Sequence, residues 1–169
     1  MTKEICQECG KVFRAGPNAF FCPECRKEKQ RAAVRRARLK EKIKKNERLT
    51  MEAMKCRGKI VTLTFAEQQV EQKKASGIVH QWLYRIKKAY GSGNVGLKWS
   101  LLRRSNRTFW VQVLLWGNAM DGEAENLWRE YGDARESTEL SNPEKELVCS
   151  AWARRISEEE IEGGTLWKT

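Results

Sequence analysis

The sequence predicts an α+β protein in three parts: a short segment built on paired cysteines, a long basic helix, and a compact domain with a small antiparallel sheet and about three helices. Three observations lead there. Four of the six cysteines fall within the first 25 of 169 residues, in two pairs. The stretch that follows carries twelve Lys/Arg against three Glu between Arg26 and Arg48, without a Gly or Pro. All seven tryptophans lie between Trp82 and Trp167, among the large apolar residues that can build a core. The parts are accordingly drawn at 1–25, 26–58 and 59–169.

The first part reads Cys6-x2-Cys9-x12-Cys22-x2-Cys25. Two residues between cysteines let one tight turn aim both sulfurs at one ion, and the twelve-residue spacer brings the second pair back. Gly10 follows the first pair, where such a turn favours a residue tolerant of positive φ. The spacer holds a turn signal, Gly16-Pro17-Asn18, and Phe13, Phe20 and Phe21 are expected to pack around the site. Pro23 suits the first position of a helix whose free amides would face the Cys22 and Cys25 thiolates. Cys6, Cys9, Cys22 and Cys25 are therefore expected to hold one structural Zn2+ per chain. Four thiolates leave no open position for a reacting water. Two disulfides are the competing reading, disfavoured by the matched spacing in an apparently cytosolic chain. Cys56 and Cys149 stand alone and are expected to behave as small hydrophobes.

Knuckle, hairpin and helix in this order resemble a treble-clef zinc finger, with a plain zinc ribbon as the near alternative. More broadly, the first 50 residues are similar to the small four-cysteine zinc-finger proteins of phages and mobile elements. That resemblance concerns the finger and implies no particular activity.

The second part is rich in Ala, Arg, Lys, Gln and Glu, which favour helix. The pattern continues through Met51, Ala53 and Met54 to Gly58, a plausible stop. Its apolar positions are few, and no sustained heptad supports a coiled coil. Such a helix needs a partner, a docking surface or many ion pairs. Phosphate is the expected partner. Arg31, Arg35, Arg38 and Lys42 recur at spacings of three or four and share a face, while Arg26, Lys27, Lys29, Arg36 and Lys45 add charge around it. Gln30 and Asn46 are isolated candidates for reading bases. A solvated spacer helix and contact with an acidic protein surface are the competing readings.

In the third part, Lys59–Phe65 alternates Val61, Leu63 and Phe65 and predicts a strand. Thr64-x-x-Glu67 has the form of a capping box opening a helix that runs to Tyr90, with Ile78, Val79, Trp82, Leu83, Ile86 and Tyr90 on one face. Gly91 caps it. Strands are expected at 97–103 and 108–116, joined around Ser105-Asn106. The second is apolar on both faces, hence central or covered. Helices over 121–131 and 143–156 complete the domain. The first is expected to bury Leu127, Trp128 and Tyr131, the second Leu147, Val148, Trp152 and Ile156. Lys87, Lys88, Lys98, Arg103, Arg104 and Arg107 form a second basic group near the hairpin. Trp99 and Trp110 beside it are expected to be core rather than base-stacking platforms.

Charge is unevenly placed. Residues 1–59 hold 18 Lys/Arg and 7 Asp/Glu, residues 60–110 hold 9 and 2, and residues 111–169 hold 6 and 13. The excess at the front suggests a polyanion. The acidic run at 158–162 is expected to be a solvated helix end. No run of 18 apolar residues or signal-peptide pattern occurs, so a cytoplasmic protein without membrane contact is expected, in the host cytoplasm if phage-encoded. His80, the one histidine, is expected at a core edge. Gly91-Ser-Gly93-x-x-Gly96 lies between a helix and a strand, the reverse of a dinucleotide-binding context. No enzyme and no small-molecule substrate are expected. The function these readings favour is a zinc-stabilised, non-enzymatic nucleic-acid-binding protein, with DNA favoured over RNA. The alternative is a phage-type inhibitor of a host or CRISPR nuclease that docks an acidic or nucleic-acid-binding protein.

Overall fold

A computed structural model describes residues 2–16, 19–91, 95–104, 106–140 and 145–166. Pro17 and Asn18 of the expected turn, Ser92 and Gly93 of the glycine string, Ser105 of the hairpin, the expected helix start at Pro143, and Trp167 lie outside them. The chain divides into two compact units, Met1–Lys42 and Ile43–Thr169. Helix α1, Pro23–Lys55, is 33 residues long and contributes to both. At 1.5 Å per residue it measures about 50 Å.

The first unit begins with an antiparallel hairpin, β1 (Thr2–Ile5) and β2 (Val12–Ala15), in the register Thr2↔Ala15 to Ile5↔Val12. The first cysteine pair sits in the turn between them. Gly10 N–H donates to the Cys6 carbonyl at 2.9 Å, and Cys6 N–H to the Lys11 carbonyl at 2.9 Å. Gly10 has φ +70°, as the sequence anticipates. Among the described residues of this unit, Cys6 and Cys22 are the only buried ones. Phe20 is 56% exposed, and Phe13 and Phe21 are only half-buried. The expected aromatic packing around the cysteines is thus largely absent, because a hairpin of four-residue strands cannot cover three rings.

The second unit is an antiparallel five-stranded sheet with helices on both faces. Its strands are β3 (Lys59–Phe65), β4 (Gly96–Arg103), β5 (Phe109–Trp116), β6 (Gly132–Glu139) and β7 (Glu162–Thr165), in the order β6-β3-β5-β4-β7. β5 is central, as its two apolar faces require. Phe109, Val111, Val113 and Leu115 look to one side. There they meet α2 (Gln72–Tyr90) and α3 (Glu123–Trp128) through Val79, Trp82, Leu83, Ile86 and Trp128. Trp110, Leu114 and Trp116 look to the other, toward Leu49 and Ala53 of α1 and Cys149, Trp152, Ala153 and Ile156 of α4 (Glu146–Glu159). Asn46, Leu49, Thr50 and Ala53 of α1 are buried at i, i+3, i+4 and i+7, one helical face. The basic helix therefore ends as a core helix.

Several expected boundaries move. The Thr64–Glu67 capping box does not form. Thr64 pairs with Trp110 and Asp133 across β3, and α2 starts only at Gln72, after Glu71. The helix expected over 121–131 is shorter: it forms as α3, Glu123–Trp128, preceded by a 3₁₀ turn, Gly117–Asp121. In α4 the buried stripe is Cys149, Trp152, Ala153 and Ile156, which leaves Leu147 and Val148 exposed. β6 carries Asp133, Arg135 and Glu139 and no large apolar residue, so it lacks the alternation that marks a strand. Charge on an edge strand also guards it against pairing with other chains.

α1 stops by a motif the sequence half reveals. Arg57 N–H donates to the Met54 carbonyl at 3.1 Å and Gly58 N–H to the Ala53 carbonyl at 2.6 Å, a Schellman pair. The left-handed residue is Arg57, with φ +51°, not Gly58. Gly58 is required for another reason. A Cβ there would lie 2.5 Å from the Leu115 carbonyl oxygen and 2.9 Å from that of Ala53, both backbone atoms. Gly58→Ala should destabilise the second unit by about 2–3 kcal/mol, read from chemical denaturation. A change below about 0.5 kcal/mol would contradict the packing at this site.

The acidic end is solvated at Glu158 and Glu159, as expected, but engaged at Glu160 and Glu162. Lys98, expected in the basic group near the hairpin, is instead buried in an ion pair with Glu160, with Ser100 Oγ donating to Glu160 Oε1 at 2.6 Å. Glu162 accepts from Ser76 Oγ at 2.6 Å, and His80 Nε2 lies 2.6 Å from its other oxygen. Ser76 first, then His80, holds the Glu162 carboxyl below its ordinary 4.5, against the opposing effect of burial. A depressed folded value stabilises above the ordinary value and is lost as pH falls through the depressed one. Glu162→Gln should therefore soften the loss of stability below about pH 5, by a few tenths of a kcal/mol at this half-buried position, read from the acid limb of Tm against pH. An unaltered acid limb would show that the clip holds nothing.

Candidate metal centre and cationic helix

The four sulfurs of Cys6, Cys9, Cys22 and Cys25 all lie within 4.8 Å of one another. Cys9 Sγ and Cys22 Sγ are 3.8 Å apart. That is the edge of a tetrahedron whose metal–sulfur bonds are about 2.3 Å, since its edges are then about 3.8 Å. The residues thus fit a four-coordinate, all-thiolate metal site, a donor set that suits soft and borderline cations.

The start of α1 builds half of this site. Cys22 N–H donates to Cys6 Sγ at 3.3 Å, and Cys25 N–H to Cys22 Sγ at 3.5 Å. Arg26 N–H donates to the Cys22 carbonyl at 2.9 Å, which opens the helix. Gln7 N–H reaches the Phe20 carbonyl at 3.0 Å and ties the knuckle to the returning chain. The Cys22 amide, outweighing burial, lowers the Cys6 thiol to about 6. The Cys25 thiol is pushed strongly upward, first by its hydrogen bond with Cys22 and next by that with Cys9. Backbone amides thus favour a thiolate at Cys6, while Cys25 resists ionising beside it. A divalent cation removes that conflict.

The basic residues expected to meet phosphate fall into different settings. Lys27, Gln30, Arg31, Val34, Arg35 and Arg38 line one shallow depression along α1, at the helical spacing of a single face. All six are exposed, and Val34 is 44% exposed. Arg35 pairs with Glu28 at 2.7 Å across exposed surface, a weak, solvent-screened contact that another anion can replace. This pairing also lowers the Glu28 carboxyl pKa. Lys29 turns to the finger instead, 2.8 Å from Glu8 and 3.9 Å above the Phe21 ring. Arg26 and Arg36 are exposed on α1 outside that face, Lys42 is half-buried, and Lys45 is exposed in the second unit. Asn46 cannot read bases, because it is 2% exposed and donates to Ser157 Oγ at 2.9 Å.

In the second unit, Arg103 ends β4, and Arg104 and Arg107 lie in the turn to β5, all exposed. Arg104 N–H donates to the Thr108 carbonyl at 2.8 Å, and Arg107 takes φ +64°. Only Arg104 turns back over the sheet, its Cζ 5.0 Å from the Trp110 ring centre. Trp99 and Trp110 are core, as expected. Arg155, on α4, was not among the sequence candidates. Its Cζ lies 5.8 Å from the same Trp110 ring. An isolated Arg154-Arg155 in an acidic third of the chain carries no spacing signal that would have found it. Cys149 is buried, which raises its thiol pKa, and Cys56 is exposed.

No helix among the described residues is long and apolar enough to cross a membrane. No protein family, curated protein or solved structure matches the chain.

Proposed function

We propose that this protein binds nucleic acid without catalysis, through a cationic helix face that a structural zinc ion holds in place. The observation that carries the reading is the exposed face Lys27, Gln30, Arg31, Val34, Arg35 and Arg38, which begins in the turn of helix that also supplies Cys25. Three guanidiniums at helical spacing form a row of charge-assisted donors suited to phosphate. Zinc is the cation that best matches four cysteines with tetrahedral separation. Duplex DNA is the favoured form. Its major groove, about 12 Å wide, admits a helix, whereas the deep and narrow major groove of A-form RNA does not.

The test is duplex binding by fluorescence anisotropy at low salt, comparing the wild type with Arg31→Ala/Arg35→Ala/Arg38→Ala. Strong binding by the wild type and its loss in the variant support the reading. Equal binding by both contradicts it. A protein partner is the second reading, favoured by Ile5 and Val12, which face each other across the hairpin at 68% and 63% exposure, and by exposed Phe20. Absence of DNA binding at low salt, with Ile5→Lys abolishing association with a protein partner, would favour it instead.

A further inference from the structure

We infer that the second unit carries its own binding site for a phosphate monoester, in the cleft between β3, β5 and α4. This cleft holds about 480 Å³, within the range of small-molecule sites. Thr62, Arg104, Trp110, Gln112, Arg155 and Glu159 line it.

The floor is fixed by the buried core. Thr62 and Gln112 face each other across β3 and β5 and are 6% and 9% exposed. Trp152 Nε1–H donates to Gln112 Oε1 at 2.7 Å, so the amide cannot flip without losing that bond. Gln112 Nε2 then donates to Thr62 Oγ1 at 3.1 Å. Each group keeps one further hydrogen: the second on Nε2 and the hydroxyl hydrogen of Thr62. Neither has another acceptor among the described residues. A buried pair with donors to spare, at the bottom of a cleft, favours an oxygen-rich acceptor.

The walls supply charge. Arg104 comes from the β4–β5 turn and Arg155 from α4, and both lie against the Trp110 ring. Stacking on an indole restricts each guanidinium while its terminal NH2 groups stay available, which lowers the ordering cost of binding. Glu159, 3.4 Å from Arg155 Nε, is the one carboxylate in the lining, leaving two cations against one anion. Donors on two walls and the floor match the three terminal oxygens of a phosphate monoester better than the two of a carboxylate. Inorganic phosphate, a 5′-mononucleotide and the 5′-phosphorylated end of a single strand share this chemistry. The site does not depend on the face of α1, and either can fail alone.

The experiment follows the arginine Nε–Hε resonances of the full zinc-loaded chain by NMR during titration with inorganic phosphate, then with a 5′-mononucleotide. Arg104 and Arg155 should shift saturably. Either Arg104→Ala or Arg155→Ala should weaken binding about tenfold or more, the scale of one lost hydrogen bond to a charged group. Arg31→Ala/Arg35→Ala/Arg38→Ala should leave it unchanged. A single-stranded oligonucleotide bearing a 5′-phosphate should bind better than its unphosphorylated twin if strand ends are the source. Phosphate saturation without that difference identifies the free ester. Non-saturating shifts, or phosphate affinity unchanged in both cleft variants, would overturn the site. DNA binding lost only in the α1 variant would leave it intact.

Discussion

Removing the metal should unfold residues 2–42 while leaving the thermal transition of the second unit in place. The first unit has no hydrophobic core to fall back on, since Cys6 and Cys22 are its only buried residues among those described. Two four-residue strands and exposed charge on α1 cannot offset the entropy of ordering the chain. Structural zinc in such modules contributes on the order of 10–16 kcal/mol, coupled to folding. Cys9→Ser should therefore act like a strong chelator, abolishing hydrogen-exchange protection at Cys6, Gly10 and Cys22 amides. The tryptophan near-UV signal should persist, because every described tryptophan lies in the second unit. Protection that survives chelation would contradict a metal-dependent fold. One bound zinc per chain is the expected stoichiometry.

The second large effect belongs to the cationic face. Each neutralised phosphate contributes about 0.9 to the slope of log K against log salt. Arg31→Ala/Arg35→Ala/Arg38→Ala should lower that slope by about 2.7 if all three contact phosphate. Projected from 1 M to 0.1 M salt, the loss in affinity is about 500-fold. The three residues are exposed, so the variant should keep its bound metal and the thermal transition of its second unit. A reduced affinity with an unaltered slope would mean that the substitutions act through folding rather than phosphate.

What the sequence could disclose depended on how local each signal was. The cysteine pairs, the Gly10 turn and the long helix follow from spacing and composition within a few residues, and the structure forms them. The alternation in β3 and the two-sided apolar pattern of β5 likewise placed β5 in the middle of the sheet. Long-range features were hidden. Asn46 looks like a polar residue on a basic helix, yet Ser157, 111 positions away, makes it a buried contact. β6 owes its place to pairing with β3, with no apolar pattern to announce it. β7 consists of Glu162, Gly163, Gly164 and Thr165, a poor strand by propensity that pairs with β4 at the edge. Its Glu162 and the preceding Glu160 turn an apparently solvated acidic run into two fixed contacts. The candidate site divides the same way. The four-cysteine cluster was legible, while the Arg104–Trp110–Arg155 cleft arises only when a turn and a helix 51 positions apart meet over one ring.

The most direct measurement is the affinity of the zinc-loaded protein for a short DNA duplex across salt from about 50 to 200 mM. A face of three arginines and Lys27 meeting phosphate predicts a linear fall of log K with log salt, with a slope near −3 to −4. A flat dependence, or no binding at the lowest salt, would contradict a phosphate-contacting helix.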